Sequence, residues 1–464
     1  MESACTLQAL MASGAWVLSH DPNQTYQEGG VSMRRLSQIT AMLFVSLLVF
    51  TSVVFGQQTV STVAPGTVGM SSHKLAHIDK VVEQAINAKV IPGAVVLVAR
   101  HGKIAYFKAY GMADQGKPER TDDIFRVASM SKAITTVAVL QLFDEGKILL
   151  TDPISKYIPE FKNPKVAEMD ASGNLRYVPA NREITIHDLL SMSSGISSRA
   201  GGSEFKNKIA EVYKEIGLED EMGPLNMTLE EYAKVVAKLP LAAQPGTSFD
   251  YSNAGANVLG YLVEVVSGKR FDRYLDEKIF KPLKMTETMF YPSQAQLQRV
   301  VPAYISGTLE KMTTPQPWGL RTVLPTYTTD PNKKFFNPSG GLHATAVDYS
   351  RFAQMLLNKG KLDGVRVLSE EAVKIMSSPV IPGLFGNMWG YMVQIQKDVN
   401  PFSDPSLDYL GAKGAYGWLG FWGTKFVVNP EKDVVYMFMS SIYVFPSVLP
   451  YQQKVVQIIN GAIQ

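Results

Sequence analysis

The chain carries a serine three residues before a lysine at three places, a spacing that can build a nucleophile. The pairs are Ser71 with Lys74, Ser129 with Lys132, and Ser203 with Lys206. Residues three apart on a helix lie on the same face, so the amine can reach the hydroxyl. A serine hydroxyl is a poor nucleophile until a neighbouring base takes its proton. The spacing therefore predicts covalent catalysis, and the surrounding sequence must choose between the three places.

Context favours Ser129. It leads into an apolar run at 133–143 that ends near Gly146, a pattern that predicts a buried helix. Ser71 begins a polar turn and is typical of a helix N-cap. Ser203 lies in a charged, glycine-rich loop with no apolar run behind it. Only in the buried helix would the lysine amine lose its water and be able to help take the proton of Ser129.

A phenol and an amide stand close together at the start of another predicted helix. Tyr251 and Asn253 are separated by one residue and are followed by small residues at 254–256. A phenol beside a lysine ammonium ionises more easily and can act as a general base. Taken alone, Tyr251 is more simply interpreted as an ordinary half-buried tyrosine. Its role depends on its lying beside Lys132.

Residues 414–430 mix glycine with aromatic and apolar residues and lead through a turn at 429–433 into a second apolar run. This pattern predicts a β-hairpin whose first strand covers 415–428. A glycine within a strand marks a close approach of the backbone. Such an approach is what an exposed backbone amide that binds an oxyanion requires.

These elements, in this order, resemble the serine β-lactamase and penicillin-binding-protein superfamily. Within it, the chain is most similar to the class C-like serine hydrolases and the family VIII carboxylesterases. The resemblance extends from about residue 65 to the C-terminus, and it includes supporting stretches at 184–195 and 340–357. It implies an α+β fold in which an antiparallel sheet is flanked by helices and a mostly helical domain is inserted.

The resemblance also implies a role for each site residue. Ser129 is the acyl-enzyme nucleophile, and Lys132 and Tyr251 share the proton transfers. Asn253 helps to hold the lysine and the substrate. The backbone amides of Ser129 and Phe421 form the oxyanion hole.

One departure from the superfamily bears on the substrate. β-Lactamases and peptidases of this kind carry Lys-Thr-Gly, Lys-Ser-Gly or a histidine version on the hairpin strand, and the chain contains neither lysine motif. The matching place holds Trp418 and Gly420, which resembles the Trp-x-Gly of the carboxylesterases. Tryptophan supplies an apolar wall where a cation would attract a substrate carboxylate. This favours neutral esters, although Lys425 or an arginine elsewhere in the chain is an alternative source of the missing cation.

The sequence lacks the motifs of other hydrolase sites and of nucleotide-binding sites. The chain has no Gly-x-Ser-x-Gly, no His-Glu-x-x-His and no glycine-rich nucleotide loop. His73 and His77 lie four residues apart without a carboxylate to complete a metal site, and they are better interpreted as a polar helix start. His187 and His343 are expected to have structural roles. No metal and no organic cofactor is expected.

Composition indicates one large globular enzyme. The 464 residues are 46% hydrophobic and 19% charged, which suffices for a substantial core. A net charge of +3 is too small to indicate binding to nucleic acid or to a membrane surface. The single cysteine, Cys5, lies before the expected mature protein, so we expect no disulfide. The expected partner is a small-molecule ester, and the sequence leaves the oligomeric state open.

The N-terminal region resembles an export signal. A basic start at 33–35 and an apolar run at 39–55 precede a small-residue cleavage site at Gly56. We expect a signal peptide over 33–56, an upstream extension over 1–32, and a secreted or periplasmic product without stable membrane insertion. An uncleaved anchor is the alternative.

In the remainder, we expect an α/β domain from 65–150 and 340–464 and a mostly helical domain from 151–339.

The combined interpretation is an exported carboxylesterase for short neutral esters. A β-lactamase, D-peptidase or amide hydrolase of the same fold is the alternative among enzymes. A penicillin-binding sensor that is acylated without turnover is the alternative from another class.

Overall fold

A computed structural model describes residues 62–197, 203–215, 226–318, 321–323, 334–384, 388–397, 410–443 and 445–464. Residues Ser61–Gln464 form one compact unit. The expected signal peptide and the extension before it lie outside the described residues. Within the described residues, no helix combines the length and apolar character needed to span a bilayer.

A seven-stranded antiparallel sheet forms the centre of this unit. Its strands are β1 (Gly93–Arg100), β2 (Lys103–Asp114), β3 (Lys117–Pro118), β4 (Gln394–Ile395), β5 (Tyr416–Gly420), β6 (Thr424–Asn429) and β7 (Val434–Met439). Their order across the sheet is β4-β5-β6-β7-β1-β2-β3. Short strand pairs join Phe125–Arg126 to His343–Ala344, Lys165–Met169 to Leu175–Pro179, Tyr304–Ile305 to Ile442–Tyr443, Gln316–Trp318 to Arg321–Val323, and Lys361–Leu362 to Val365–Arg366.

The helices of the described residues are mostly short. They are α1 (Ser72–Leu75), α2 (His77–Asn87), α3 (Ser131–Asp144), α4 (Ile186–Leu190), α5 (Glu204–Glu215), α6 (Leu229–Val236), α7 (Asn253–Ser267), α8 (Phe271–Leu275), α9 (Gln294–Leu297), α10 (Ala346–Leu357), α11 (Glu370–Met376) and α12 (Leu449–Ala462). A π-helical turn at Asp276–Phe280 continues α8. Single 3₁₀ turns occur at Pro65–Val68, Ala128–Met130, Ile154–Lys156, Pro159–Phe161 and Phe445–Val448.

Strand β1 explains why helices cover both faces of the sheet. Successive side chains of a strand point to opposite faces, and β1 is apolar at nearly every position. Val95 and Leu97 belong to a core that also includes residues of α3, α7 and α10. Val96 and Val98 belong to a second core with residues of α2 and α12. A strand that is apolar on both faces requires a layer of helices on each side.

The two ends of the chain meet in the middle of the sheet. Strand β1 pairs with β7, with Val95 opposite Met439 and Arg100 opposite Val434. The antiparallel sheet with flanking helices is therefore confirmed. Between residues 151 and 339 the described chain forms α4–α9 and two small hairpins. The division into an α/β domain and an inserted helical domain stays a prediction, because these residues all belong to one compact unit.

The predicted single strand over 415–428 is wrong in one respect. The chain forms two paired strands, β5 and β6, separated by a tight turn at 421–423. The amide of Gly423 donates to the carbonyl of Gly420 at 3.0 Å, and Gly423 has a φ of 82°, which glycine adopts without strain. This turn places Phe421 at the end of β5, outside the ladder of strand hydrogen bonds.

Candidate active site

Ser129 lies in the 3₁₀ turn that leads into helix α3. It is the only residue between 123 and 142 that is not buried. Ala128, directly before it, has a φ of 43°, which is unfavourable for alanine, and strained residues of this kind cluster at active sites. The turn is held by Val127, whose amide donates to the carbonyl of Leu342 at 3.0 Å. The local fold therefore leaves Ser129 partly exposed and buries its neighbours.

Lys132 lies in the first turn of α3, and its side chain is fully buried. Its Nζ donates to Ser129 Oγ at 3.2 Å and to the carbonyl oxygen of Ser339 at 2.7 Å. These hydrogen bonds offset part of the cost of removing the amine from water. The structure therefore brings together the serine and the lysine that the sequence spacing selected.

The acceptor at Ser339 belongs to a segment that the sequence analysis missed. The Ser339 amide donates to Asn257 Oδ1 at 3.0 Å and to Asn337 Oδ1 at 2.9 Å, and its hydroxyl donates to Asn337 Oδ1 at 2.7 Å. Thr135 of α3 donates to the neighbouring Pro338 carbonyl at 2.8 Å. The segment thus fixes the carbonyl that holds Lys132. The run Asn-Pro-Ser-Gly-Gly at 337–341 is a turn signal, and it was the available clue.

Tyr251 lies two residues before α7. Ser252 caps this helix by accepting a hydrogen bond from the Gly255 amide at 3.0 Å, which fixes the approach of the preceding chain. The Lys132 Nζ lies 4.8 Å from the centroid of the Tyr251 ring, a distance at which a cation and a ring attract. The indole Nε1 of Trp418 donates to Tyr251 Oη at 3.1 Å. Tyr251 therefore contacts both the lysine and the hairpin strand.

Asn253 is the first residue of α7 and is buried. Its Oδ1 has no hydrogen-bond partner within the part of the chain that the structure describes. Buried acceptors without a partner are rare in native proteins. This oxygen can accept a hydrogen bond from a bound molecule, which agrees with the expected place of Asn253 at the substrate.

The end of strand β5 packs directly against the turn before the nucleophile. A Cβ on Gly420 would lie 1.9 Å from Thr424 Oγ1 and 2.5 Å from the carbonyl oxygen of Val127. Both distances are too short for any side chain, so only glycine allows this approach. Phe421 is the next residue. The glycine that the sequence marked as a point of close contact therefore lies against the segment that presents Ser129.

The turn at 421–423 is anchored from several directions. Trp422 is fully buried, and the guanidinium carbon of Arg126 lies 5.9 Å from its ring centroid. The carbonyl of Trp422 accepts from the Ile442 amide at 3.0 Å. Gln452 Nε2 donates to the Gly423 carbonyl at 2.8 Å. These contacts fix the position of the Phe421 backbone, and the sequence analysis did not single out any of the residues that make them.

Aromatic rings form one side of the site. Trp418 and the fully buried Trp389 meet edge to face, with centroids 4.7 Å apart. Tyr251 lies 5.5 Å from Trp418, and Phe249 lies 5.1 Å from Trp389. The Trp389–Trp418 and Phe249–Trp389 pairs are edge to face, which is a favourable aromatic contact, and the Tyr251–Trp418 pair is tilted. Trp389 and Phe249, which the sequence analysis missed, complete an apolar wall around the expected position of Trp418.

Lys425 is excluded as a substitute for the missing cation. It pairs across the hairpin with Leu419, and Trp418 pairs with Phe426, so Lys425 and Trp418 point to opposite faces of the sheet. The Lys425 side chain is buried, with its Nζ 6.0 Å from the ring centroid of Tyr436. Tyr436 belongs to the core on the face away from the site. The suggestion that Lys425 could meet a substrate carboxylate is therefore wrong.

The other two serine–lysine pairs are helix caps. Ser71 Oγ accepts from the Lys74 amide at 3.3 Å, and the Lys74 ammonium donates to a carbonyl of α12 at 2.7 Å. Ser203 Oγ accepts from the Lys206 amide at 3.2 Å at the start of α5, and the Lys206 ammonium lies 3.4 Å from Asp250. Ser203 was expected within a loop, and the structure instead places it directly before helix α5. In both pairs, the serine caps the N-terminus of a helix and the three-residue spacing to lysine follows from that cap.

The histidines lie in structural positions. His187 Nδ1 is 2.7 Å from the hydroxyl of Tyr391, and burial lowers the pKa of His187. His343 is fully buried, and burial lowers its pKa to about 3, so its ring is neutral. Within the described residues, no cluster of three or more histidine, cysteine, aspartate or glutamate side chains could hold a metal ion.

Comparisons with known proteins concern the family and the fold. The family profile described as beta-lactamase matches residues 78–453. The esterase EstB of Burkholderia gladioli is 33% identical over 241 residues, which are 51% of this chain and 57% of EstB. A protein of Escherichia coli O157:H7, named as a candidate D-alanyl-D-alanine carboxypeptidase, is 28% identical over 420 residues, 86% of this chain and 90% of that protein.

Among solved structures, EstCE1, described as a hydrolase with promiscuous acyltransferase activity, superposes with a TM-score of 0.69 at 24% identity. The match covers 83% of this chain and 99% of EstCE1. The profile match over most of the chain shows the family, and the shared fold is consistent with it. The chain belongs to the beta-lactamase family of serine hydrolases.

Proposed function

We propose that this protein is a carboxylesterase that cleaves short neutral esters through an acyl-enzyme on Ser129. The observation that carries the proposal is the aromatic wall at Trp418, in the place where peptidases and β-lactamases of the family would present a cation. Lys425, on the opposite face of the sheet, does not restore that charge. The relationship to the esterase EstB supports the same substrate class.

The proposed reaction begins with Tyr251 as the general base in its phenolate form, with Lys132 Nζ 4.8 Å from the centroid of its ring. Tyr251 takes the proton of Ser129, and the resulting alkoxide attacks the ester carbonyl. The developing oxyanion is bound by the backbone amides of Ser129 and Phe421. Lys132, which donates to Ser129 Oγ, holds the nucleophile in position throughout.

Collapse of the tetrahedral intermediate breaks the bond to the alcohol, which receives the proton from Tyr251. The acyl group is then on Ser129. Tyr251, again a phenolate, takes a proton from a water molecule as that water attacks the acyl carbonyl. When the acid leaves, Tyr251 returns its proton to Ser129 Oγ. The cycle balances without a metal or an organic cofactor.

The decisive experiment measures steady-state turnover of p-nitrophenyl esters of graded acyl length, beside nitrocefin and a D-alanyl-D-alanine peptide. Sustained turnover that is highest on short neutral esters is expected. Preferential hydrolysis of nitrocefin or the peptide would replace the proposal with the alternative enzymes of this fold. A single stoichiometric burst on every substrate would indicate a penicillin-binding sensor.

Variants at the three serines locate the nucleophile in the same assay. Ser129→Ala should abolish both turnover and covalent labelling by a fluorophosphonate. Ser71→Ala and Ser203→Ala are matched controls, because they carry the same spacing to a lysine but cap helices. Both controls should label at the wild-type rate. Labelling that survives in Ser129→Ala would place the nucleophile at another residue.

We further propose that the enzyme is exported, with the signal peptide over 33–56 removed. The support is the basic start and apolar run of that segment. N-terminal sequencing of the protein recovered from the periplasm or medium of a producing bacterium should begin near Gln57. A product that keeps the apolar run and stays with the membrane would show an anchor instead.

A further inference from the structure

We infer that Trp418 is a positioning residue for the general base, through the hydrogen bond that its indole N–H donates to Tyr251 Oη. This inference rests on the proposed function and assigns to Trp418 a second role besides that of an apolar wall. The donor–acceptor distance of 3.1 Å is within the normal range for such a bond. The two residues are 167 positions apart in the chain, so the contact depends on the tertiary fold.

The direction of this hydrogen bond gives it a chemical effect. An indole nitrogen can only donate, so Tyr251 Oη is the acceptor. A hydrogen bond to an ionised oxygen is stronger than one to a neutral hydroxyl. The Trp418 N–H therefore stabilises the phenolate of Tyr251 more than the phenol. The Trp418 N–H also occupies one side of Tyr251 Oη, so the remaining lone pairs of that oxygen point away from strand β5.

The surroundings of Trp418 keep the indole in place. Trp389 packs against it edge to face at 4.7 Å with an interplanar angle of 83°, and the Tyr251 ring lies 5.5 Å away. Trp418 is half-buried, which limits competition from water for its N–H. A donor held in a fixed orientation loses little entropy when the phenolate forms, as preorganised electrostatic stabilisation requires.

Charged groups near Tyr251 in the described part of the chain include Lys132 and Asp250. Lys132 of α3 lies beneath the ring at 4.8 Å. Asp250, the residue before Tyr251, is paired with Lys206 of α5 at 3.4 Å, and the Asp250 amide is held by the Met192 carbonyl at 2.8 Å. Lys132 supplies the charge that favours the phenolate, and Trp418 supplies the hydrogen bond.

The test replaces Trp418 with 3-benzothienylalanine, which keeps the shape of indole but has sulfur in place of the N–H. Trp418→Phe is the genetically encoded companion variant. For each protein, the second-order rate of fluorophosphonate labelling and the kcat/KM for p-nitrophenyl acetate are measured between pH 5 and 10. Removing the donor should move the acidic limb of both profiles to higher pH by about one unit. At pH values below this limb, the shift corresponds to a roughly tenfold lower rate constant, or about 1.4 kcal/mol.

Trp389→Phe is the matched control. It removes a similar amount of aromatic surface from the same cluster, and Trp389 meets Tyr251 through ring contact at 6.2 Å. This variant should lower the whole profile without moving the limb. An unmoved limb in the folded benzothienyl variant overturns the inference, as does an equal shift in Trp389→Phe.

The two proposals fail in different ways. If the wild-type protein is labelled but does not turn over esters, the esterase assignment fails, and the limb shift in labelling still decides the role of Trp418. If esters are turned over and the limb does not move, only the inference about Trp418 fails.

Discussion

Replacing Gly420 with alanine tests whether the close packing of strand β5 on the nucleophile turn is needed for catalysis. The new Cβ would lie 2.5 Å from the Val127 carbonyl oxygen, whereas ordinary contacts begin near 3.4 Å. The strand and the turn must therefore separate by about 0.9 Å. Val127 lies two residues before Ser129, and Phe421 directly follows Gly420. The separation thus moves the two proposed oxyanion donors apart.

The expected loss follows from that displacement. Removal of one oxyanion donor typically lowers kcat by about 10²–10³-fold. A misplacement of about 1 Å can alone cost about 10²-fold. We therefore expect kcat for p-nitrophenyl acetate to fall by about 10²–10³-fold in Gly420→Ala, with a smaller change in KM.

Gly417→Ala is the matched control in the same strand. Its Cβ would lie 2.1 Å from the Phe426 carbonyl, which is as crowded but does not touch the segment before Ser129. Both variants should lose stability in urea unfolding, and only Gly420→Ala should lose most of its kcat. If a folded Gly420→Ala protein keeps wild-type kcat, or if both variants lose activity in proportion to stability, the argument from close packing is refuted.

Three further results are expected. Lys132→Ala and Tyr251→Phe should each reduce kcat/KM by several orders of magnitude. The double variant should lose little more than either single variant, because the effects of residues that act as a unit are not additive. Fully multiplicative losses would contradict a shared proton relay. Asn337→Ala removes one of the two side-chain acceptors that fix Ser339, whose carbonyl holds Lys132, so kcat should fall about tenfold with little change in KM. An unchanged kcat would show that this support is unnecessary. Burial raises the pKa of Glu119 from 4.5 to about 9, so the folded state binds a proton that the unfolded state releases. The free energy of unfolding of the wild type therefore falls as pH rises through this window. In urea unfolding between pH 5 and 8, the stability of Glu119→Gln relative to wild type should rise by up to about 1.4 kcal/mol per pH unit. A pH-independent difference would contradict the buried neutral carboxyl.

Local features of the chemistry followed from the sequence. The contact between Ser129 and Lys132 needs only the repeat of one helical turn, and the apolar run behind them identified which of three matching pairs is buried. The glycines of the hairpin, Gly420 among them, predicted a close approach of the backbone, because a glycine within a strand leaves room for a neighbour. These inferences depend on residues that are near in sequence or on the size of a single residue.

The contacts that complete the site depend on distant segments. The Ser339 carbonyl that holds Lys132 is 207 residues away, and its turn sequence alone gave no partner. Trp389 and Trp422 had no signal beyond hydrophobicity, which predicts burial but not the neighbour against which a ring packs. Only the assembled sheet and helices bring these groups to the nucleophile.

Lys425 shows most clearly what the sequence left open. In a strand with one face in water, alternation of polar and apolar residues reveals which side chains share a face. Strand β6 is buried at all of its positions, so that alternation is absent. The pairing of Trp418 with Phe426 decides that Lys425 points away from the site. The sequence by itself predicted the pairing of Ser129 with Lys132, whereas only the register of β6 against β5 decided that Lys425 does not face them.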